Sequence, residues 1–435
     1  MSTSWLILGC GDSGLAAARL LAFEGRRGWT ASETAPLAGR RKALEDVGFP
    51  WRKDVPEEVA GGVVVSPGFA IDHPWVVQLR QRGVDPVPEF ELGAARLRGR
   101  QVAVTGSLGK TSMVMLAERL LSEAGRVVRI SGNIGIPVCE VALEAPQADV
   151  HVLELSSFQL EAARAYRPDV GICLNVVPNH LDRHGSMERY AGAKARLFQF
   201  QTPEDAAVIP DAFPVAVPTA ARRIDAHEVA VPRLEGTPFA AGPLRENLRC
   251  LLAGLENVGL PGEDGIERVV RAFRFPPHRM TRLEVPGAGI VIDDSKSTCL
   301  SATRAALESL PGTVHLIVGG LDKGEDFTAL NELFRHREVR LYLTGASAEA
   351  MRHAWRDVAT VCEIHADLGG CVKAAWARRD CVEPLLFSPG CASFDQYPDY
   401  KARGTHFQRL VAERAADEPL TEPPRRKRHE QSESS

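Results

Sequence analysis

Short apolar runs alternate with longer segments of helical periodicity along almost the whole chain. The runs are rich in β-branched residues, and most of them end in glycine or polar residues. This alternation predicts parallel sheets whose faces are covered by helices, which is the α/β fold class. Eight runs are predicted strands: Trp5–Leu8, Val63–Val65, Val102–Thr105, Val150–Leu155, Gly289–Ile292, Val314–Val318, Val339–Leu343 and Pro384–Phe387.

Two of the predicted strands are followed by a glycine turn and then by a helix. The first helix is rich in Ala and Leu and is predicted from Leu15 to about Glu24. The second is predicted over Met113–Ala124, where Gly125 is a typical C-terminal stop. Ligands of open α/β sheets bind just beyond the carboxyl ends of the strands, so the residues in these turns are candidates for binding.

Boundaries near Leu92 and Leu283 divide the chain into three predicted domains. These cover residues 1–92, 93–283 and 284–414. Residues 415–435 are rich in Pro, Glu, Arg and Ser, a composition that predicts a disordered tail.

Composition narrows the class of protein without choosing a function. The chain has 435 residues and a formal net charge of −4, which gives no electrostatic signature for binding nucleic acid or anionic membranes. Neither a signal peptide nor an apolar run of about 20 residues, the length needed to span a membrane, is evident. The nine cysteines are scattered without a CxxC pair, which favours reduced thiols in a cytoplasmic protein.

The first glycine turn, Gly9–Gly14, has the pattern GxGxSG between a strand and a helix. Glycines at this position let a diphosphate approach the free N–H groups at the start of the helix. Glu33 follows about twenty residues later, where an acid that binds a ribose is expected. The pattern predicts a nucleotide diphosphate, but it leaves open whether that is UDP or NAD, so a dehydrogenase remains an alternative.

The second glycine turn, Gly106–Ser112, reads GSLGKTS between an apolar strand and an amphipathic helix, the context of a phosphate-binding loop. Val104 occupies the position of the first glycine in the full Walker pattern, so this is the shorter GxxGKT form. The loop amides are expected to surround phosphates, with Lys110 on the β and γ oxygens and Thr111 on magnesium. A dehydrogenase leaves this loop unexplained.

Further polar clusters follow other predicted strands. Glu154 ends one strand, and a carboxylate there suits a hard cation such as Mg²⁺. The segment Asn175–His184 brings two histidines and an acid together, and Lys194 lies among small residues on a predicted helix. In the last third, lysines and hydroxyls at strand ends predict a pocket for a small dicarboxylate or for phosphate.

Taken together, these residues resemble the Mur ligase family over nearly the whole chain, to about Val411. The segments similar to the family's ATPase domain are GSLGKTS, LELSSFQLE, LNVVPNHLDRH and AKARLF. The segments GxGxSG, SPG, GNIG, DDSKST and SPGCASFDQY resemble members that add D-glutamate to UDP-N-acetylmuramoyl-L-alanine. The resemblance implies three domains: a Rossmann-like UDP-binding domain, a central P-loop-type ATP-binding domain with a mostly parallel sheet, and a Rossmann-like amino-acid-binding domain.

The resemblance also implies a role for individual residues. The UDP substrate would be bound by Gly11, Ser13, Glu33, Thr34, Ser66, Asn133, Ser156 and Gln159. ATP would be bound by Gly106, Ser107, Gly109, Lys110, Thr111, Ser112, Asn247, Arg279 and Asp294. Glutamate would be bound by Lys296, Thr298, Lys323, Ser393, Phe394 and Tyr400. The implied catalytic residues are Lys110, Glu154, His180 and Lys194, and the implied metal ligands are Thr111, Glu154, His180 and Lys194.

The implied reaction is ADP-forming amide synthesis through an acyl phosphate, in the making of peptidoglycan precursors. It uses ATP, Mg²⁺ at two sites and a carbamylated Lys194, and it acts on small molecules. We expect a cytoplasmic monomer that is not embedded in a membrane and binds no nucleic acid.

The sequence departs from the family pattern at several positions, namely Leu108, Asn179, Leu244, Arg245 and Cys299. These departures leave two alternatives open. One is a ligase with another acceptor, such as L-glutamate, and the other is a non-catalytic relative that binds nucleotide sugars.

Overall fold

Three sheets of mostly parallel strands organise the chain, in a computed structural model that describes residues 4–55, 59, 61–322 and 324–419, with Asp182 described for its backbone alone. Every predicted strand overlaps an observed one, because each apolar run is buried in the middle of a sheet. The expected α/β class with mostly parallel sheets is confirmed.

The first sheet has five parallel strands in the order β3-β2-β1-β4-β5. These strands are β1 (Ser4–Leu8), β2 (Arg27–Ala31), β3 (Trp51–Arg52), β4 (Gly62–Val65) and β5 (Val87–Pro88). The accompanying helices are α1 (Asp12–Phe23), α2 (Ala38–Asp46), α3 (Pro74–Gln81) and α4 (Glu89–Ala94).

The second sheet has six parallel strands in the order β11-β10-β9-β6-β8-β7. These strands are β6 (Arg98–Thr105), β7 (Val128–Gly132), β8 (Gln147–Glu154), β9 (Val170–Cys173), β10 (Ala206–Val208) and β11 (Arg222–Arg223). The helices in this part of the chain are α5 (Lys110–Glu123), α6 (Val138–Glu144), α7 (Ser157–Leu160), α8 (Leu181–His184), α9 (Met187–Ala195), α10 (Gly242–Leu255) and α11 (Glu263–Ala272).

The third sheet has six strands in the order β12-β13-β17-β14-β15-β16, and only the pairing of β12 with β13 is antiparallel. These strands are β12 (Thr281–Arg282), β13 (Val291–Asp293), β14 (Val314–Gly319), β15 (Val339–Thr344), β16 (Val361–Ile364) and β17 (Leu385–Phe387). The helices are α12 (Leu300–Glu308), α13 (Asn331–His336), α14 (Ala348–Trp355), α15 (Leu368–Trp376) and α16 (Tyr400–Asp417).

The chain forms two compact units. Unit 1 contains the first two sheets and comprises the residues up to Pro178 together with Arg183–Phe273. Unit 2 contains the third sheet and comprises Asn179–Asp182 together with the residues from Arg274 onwards. One apolar core runs through both sheets of unit 1, including Ile7, Phe90 and Leu153. The domain boundaries at residues 92 and 283 stay predictions.

Three boundaries differ from the sequence-based expectation. Helix α1 begins at Asp12 and α5 at Lys110, about one turn before the predicted starts, because polar residues are tolerated in a first helical turn. At the other end of the chain, α16 continues to Asp417, and Ala415 is buried. The predicted disordered tail therefore starts too early, since Ala415 packs into the core of the third sheet. The rest of that prediction, residues 420–435, lies outside the described residues.

Two further expectations concern the surroundings of the chain. In the part of the chain that the structure describes, no helix is both long and apolar enough to cross a membrane. All nine cysteines are free thiols, and six of them are buried. This agrees with the prediction of reduced thiols.

Candidate active site

The first glycine turn lies at the carboxyl ends of β1 and β4. Gly9 has a φ of 108°, and a Cβ at Gly14 would lie 1.9 Å from the Gly9 carbonyl oxygen, so α1 packs directly on the turn. The residue before α1 is Gly11, whose lack of a side chain leaves the first N–H groups of the helix without a side-chain cap. Such groups attract anions.

Ser66 reaches the same turn from the end of β4. Its hydroxyl is buried and has no hydrogen-bond partner, and a Cβ at Gly9 would lie 2.7 Å from it. The structure therefore brings the predicted residues Gly11, Ser13 and Ser66 into one region. Glu33 and Thr34 follow β2 in this sheet, and the Glu33 carboxylate lies 3.4 Å from His73 Nε2.

The phosphate loop connects β6 to α5. Gly106 and Gly109 have φ values of 149° and 84°, which side-chain-bearing residues rarely adopt. Lys110 Nζ donates to the carbonyl oxygens of Gly106, at 2.7 Å, and Ser107, at 3.1 Å. Ser112 is buried at the start of α5. The loop thus has the backbone shape and the cation that phosphate binding needs.

Asn175, two residues after the end of β9, holds this loop in place. Its Oδ1 accepts hydrogen bonds from the backbone N–H groups of Ser107, at 3.1 Å, and Leu108, at 2.9 Å. Its Nδ2 donates to the Leu108 carbonyl and to Asn247 Oδ1. Because Leu108 contributes its backbone to these bonds, its departure from the family pattern leaves them intact. Asn247 also packs on Gly109, where a Cβ would lie 2.4 Å from Asn247 Nδ2.

Lys194 lies beneath the same loop. Its side chain is only 1% exposed, and Nζ donates to the Gly106 carbonyl at 2.8 Å, so Lys110 and Lys194 share one acceptor oxygen. Burial, together with the charge of Lys110, holds the pKa of Lys194 well below its usual value. Tyr190, one helical turn earlier, has its ring 4.5 Å from Lys194 Nζ and its hydroxyl 2.9 Å from Ser107 Oγ.

Glu154 ends β8, the strand next to β6, and pairs in register with Val104. It is 1% exposed, and its Oε1 accepts a hydrogen bond from Asn133 Nδ2 at 2.8 Å. Its other oxygen, Oε2, is buried without a hydrogen-bond partner. A buried carboxylate oxygen of this kind needs a cation or a donor, and Mg²⁺ prefers such a ligand.

Ser156 and Gln159 begin α7 as a reciprocal capping box. Ser156 N–H donates to Gln159 Oε1 at 2.9 Å, and Gln159 N–H donates to Ser156 Oγ at 3.2 Å. The sequence pattern assigned both residues to substrate binding. The structure shows that they also fix the turn directly after Glu154.

Unit 2 holds the remaining predicted residues. Asp294 is buried, which raises its pKa to about 7, while the hydroxyl of Ser388 donates to it at 2.8 Å. Lys296 Nζ lies 3.8 Å from the centre of the Tyr400 ring. Both residues were predicted to bind glutamate.

The other predicted residues of unit 2 differ in exposure. Ser393 is buried and Thr298 half-buried, whereas Phe394 is 70% exposed. His180 has a φ of 55° and belongs to this unit, as does Arg279. Lys323 lies outside the described residues.

Next to Asp294, unit 2 contains a buried set of polar groups that we did not predict as a site. Asp293 Oδ2 lies 2.7 Å from His278 Nδ1 and accepts a hydrogen bond from Gln408 Nε2, also at 2.7 Å. His278 has a φ of 63°. Gln408, which completes this set, is more than a hundred residues away from Asp293 in the chain.

Comparisons of the sequence with known protein families and with individual relatives agree on the family to which this chain belongs. The family model for the Mur ligase middle domain matches residues 104–229. The UDP-N-acetylmuramoylalanine–D-glutamate ligase of Acidobacterium capsulatum is 34% identical, over 93% of this chain and 95% of that protein. The enzyme of the same name from Solibacter usitatus is also 34% identical, over 93% and 97%. The chain belongs to the Mur ligase family.

Solved structures of Mur ligases share the fold. The MurF ligase from Thermotoga maritima, in complex with ADP, superposes with a TM-score of 0.61 at 16% identity, covering 92% of this chain and 99% of that one. The bifunctional folylpolyglutamate synthase/dihydrofolate synthase from Yersinia pestis gives 0.54 at 15% identity, covering 76% and 92%.

The Mur ligase segment matched by the family model contains the phosphate loop, Glu154 and Lys194. It also contains two residues that sequence reasoning missed as site residues, Asn175 and Tyr190. The signal for Tyr190 was its spacing, since residues four apart share one face of a helix. Asn175 follows β9, which pairs with β6, so its position at the loop could have been read from strand order alone.

The side chains at this site match the composition of a protein metal cluster only in part. Among the residues that the structure describes, no group of three or more His, Cys, Asp and Glu side chains could hold a metal ion. The set predicted for this Mur ligase has only Glu154 and His180 from those types. It depends on a hydroxyl and a modified lysine for its other oxygen ligands.

Proposed function

We propose that this chain is an ADP-forming ligase that joins D-glutamate to UDP-N-acetylmuramoyl-L-alanine. The observation that carries the proposal is the phosphate loop with Lys110 and the buried Lys194 on one carbonyl oxygen. The relatives that match over most of the chain are named for this reaction, which supports the choice of substrates.

ATP phosphates would bind at the loop Gly106–Ser112. Main-chain N–H groups at the start of α5 favour anions, and the Lys110 ammonium lies beside the loop, where it can neutralise oxygens of the transferred phosphoryl group. Asn175 fixes the loop in this shape, which lowers the cost of ordering it when ATP binds. Asn247, bonded to Asn175, would be positioned at the nucleotide by the same contacts.

Magnesium would be held by Thr111 of the loop and by Glu154, whose buried Oε2 has no partner of its own. Bound Mg²⁺ supplies positive charge at the phosphate oxygens, as in other phosphoryl transfers. Asn133 orients the Glu154 carboxylate by occupying its other oxygen. For His180 the proposal of a metal-ligand role rests on the sequence motif.

Lys194 is proposed to carry a carbamate. Its depressed pKa leaves a larger share of the side chain as the neutral amine, which alone can add to carbon dioxide. The nitrogen lone pair forms a bond to carbon and one N–H proton is released, giving a carbamate anion. The product is an anionic oxygen donor, which suits a hard cation better than an ammonium does.

The UDP part of the substrate would bind at the first glycine turn, with its diphosphate at the start of α1. The unpartnered hydroxyl of Ser66 supports this, because a buried donor without a partner is costly unless a ligand supplies one. Ser13, Glu33 and Thr34 follow strands of the same sheet. In unit 2, Lys296 beside Tyr400 supports the proposed glutamate site, together with Thr298, Ser393 and Phe394.

The reaction then has two steps. The alanyl carboxylate attacks the γ-phosphorus of ATP, so that an acyl phosphate forms and ADP leaves. The amine of glutamate attacks the acyl carbon, the tetrahedral intermediate expels phosphate, and the amine loses its proton. Lys110 stabilises negative charge on the transferred group during the first step, so the protein contributes mainly position and electrostatics.

The test is ADP release and product mass with UDP-N-acetylmuramoyl-L-alanine, ATP, Mg²⁺ and either D- or L-glutamate. D-glutamate should be the better acceptor. Lys110→Ala should lower kcat by about 10²–10³-fold, because one charged group is removed from the transferring phosphoryl. The exposed Lys42→Ala on α2 is the matched control and should keep full activity.

Each alternative function has its own outcome in this assay. Preference for L-glutamate would favour the ligase with another acceptor. Binding of the UDP substrate without any ADP release would favour the non-catalytic relative. Robust turnover by Lys110→Ala would contradict the assignment of the phosphate loop. We also propose that the enzyme is cytoplasmic, which its free cysteines support, and that it acts as a monomer.

A further inference from the structure

Glu89 is a buried carboxylate that none of the assigned roles uses. It directly follows β5, the edge strand of the first sheet, and begins α4. Its side chain is enclosed, with 1% of the residue exposed. A carboxylate is costly to bury unless hydrogen bonds satisfy it, so its partners indicate why the fold retains it.

The partner of Glu89 is the start of α6, the helix between strands β7 and β8 of the second sheet. Its Oε1 accepts the backbone N–H of Cys139 at 2.7 Å, and the Cys139 thiol donates to the Glu89 carbonyl at 3.2 Å. Burial raises the pKa of Glu89 to about 7, an effect that the Cys139 N–H opposes. The residue before α6 is Pro137, which provides no side-chain cap of its own. Glu89 therefore does for α6 what a local capping residue does for other helices.

Helix α6 is continuous with the loop that reaches Glu154. In this loop, Gly132 N–H donates to the Ile136 carbonyl at 2.7 Å, which closes the loop on itself. Asn133 donates from its backbone N–H to the Glu154 carbonyl and from Nδ2 to Glu154 Oε1, both at 2.8 Å. The loop is thus anchored at one end by β8 and at the other by the helix that Glu89 caps.

The approach of α4 to α6 is close enough to make this anchor rigid. A Cβ at Gly93 would lie 2.6 Å from Cys139 N, so a side chain there would collide with the backbone. Phe90 and Cys139 are both fully buried in the shared core. A capped helix start in such close packing cannot shift without breaking the bond to Glu89.

We propose that Glu89 is a positioning residue for the ligase reaction, acting through α6 and Asn133 to orient the Glu154 carboxylate. The inference rests on the proposed function, since it assigns Glu89 a part in that reaction. Glu89 directly follows the first sheet, whereas the Glu154 carboxylate that it would orient ends a strand of the second sheet. Glu89 itself need not touch any substrate.

Helix α4 offers a matched control in Glu91. The carboxylate of this second acid also accepts two backbone hydrogen bonds, from the N–H groups of Arg164 at 2.8 Å and Ala165 at 3.0 Å. Both donors follow strand β8 of the second sheet in the chain. Glu91 is therefore the same type of residue on the same helix, and it makes the same kind of bond as Glu89. Its partners lie outside the loop that carries Asn133.

The experiment compares Glu89→Ala, Glu89→Gln and Glu91→Ala in the full chain. Glu89→Ala should lower kcat by about 10- to 100-fold, because small misplacements of catalytic groups cost this much. Glu89→Gln keeps one acceptor oxygen for Cys139 N–H and should stay within about threefold of wild type. Glu91→Ala should lose thermal stability while keeping its kcat.

A second measurement does not depend on catalysis. Hydrogen exchange in peptides covering residues 132–144 should become about 10-fold faster in Glu89→Ala and stay unchanged in Glu91→Ala. Unchanged exchange there, or wild-type kcat in Glu89→Ala, overturns the inference. Absence of ADP release from the wild-type protein would instead overturn the proposed function, and the exchange result would still decide whether Glu89 holds the loop.

Failure of Glu89→Ala to fold would leave Glu89→Asp to answer the same question. Its shorter side chain keeps a carboxyl group but withdraws that group from Cys139 N–H. We expect a lowered kcat and faster exchange at residues 132–144 in this variant. Wild-type values for both would overturn the inference.

Discussion

At the scale of single residues, the site of this Mur ligase consists of groups held in states that water would not favour. Lys194 is a buried amine, and Glu154 has a buried oxygen without a partner. Both arrangements cost stability unless a ligand or modification completes them. Such groups are expected where a fold sacrifices stability for chemistry.

Lys194→Ala should lower ligase activity by about 10²-fold, because the proposed carbamate would no longer supply an oxygen ligand to the metal. Added formate or acetate should restore part of the activity by replacing the carbamate. The measurement is ADP release with and without the added carboxylate, and ¹³C NMR of the wild type in labelled bicarbonate should show a carbamate signal that the variant lacks. Full activity in Lys194→Ala would exclude the carbamate.

At the scale of elements, the polar groups of this chain lie at the ends of strands, and the groups at the two ends of a sheet have different surroundings. The phosphate loop and Glu154 lie at the carboxyl ends of β6 and β8. At the opposite end of the third sheet, His315 is buried between Tyr342 and Glu383. His315 Nδ1 lies 2.9 Å from the Tyr342 hydroxyl, and Nε2 lies 2.9 Å from Glu383 Oε2. This histidine therefore joins strands β14 and β15 to the residues before β17.

Burial lowers the pKa of His315, against a value of about 6.5 in an unfolded chain. Between the two values the unfolded chain binds more protons, so this contribution to stability is lost as pH falls below about 6.5. His315→Gln removes the titration, and the free energy of unfolding of the wild type should fall relative to it between pH 7.5 and 5. Denaturant unfolding at several pH values measures the difference. The exposed His353→Gln should show no such relative change.

At the scale of the whole molecule, the first two sheets belong to one unit, and α4 is where they join. Besides Glu89 and Glu91, the bidentate pair of Arg96 with Glu24 links the residues just after α4 to the end of α1. Exposed ion pairs contribute little stability. The apolar core that the two sheets share therefore contributes more of the free energy that holds them together.

Calorimetry of the full chain can test this coupling. UDP and Mg²⁺·ADP, each at about 100 times its Kd, should each stabilise the same unfolding transition by about 2.7 kcal/mol, because the loops proposed to bind them, Gly9–Gly14 and Gly106–Ser112, both lie in unit 1. Lys110→Ala should abolish the shift caused by ADP and keep the shift caused by UDP. Separate transitions that respond to only one ligand each would show that the two sheets unfold independently.

Much of this protein was fixed by local pattern. Apolar runs and glycine motifs predicted eight of the strands, the two segments in which a glycine turn joins a strand to a helix, and the α/β class. They did so because the period of burial and the backbone freedom of glycine are properties of short segments. The motifs also gave the family and the residues proposed for ATP and metal. The hydrogen-bond partners of those residues could not be predicted from the sequence, because such a partner can lie anywhere in the chain.

Only the tertiary structure decided that Asn175 holds the phosphate loop, that Lys110 and Lys194 share one oxygen, and that Glu89 caps α6. Each of these contacts joins residues from about 50 to nearly 90 positions apart. The depressed pKa of Lys194 has the same origin. Burial and proximity are properties of the packed chain, so the sequence could name the chemistry of these groups but not the surroundings that tune it.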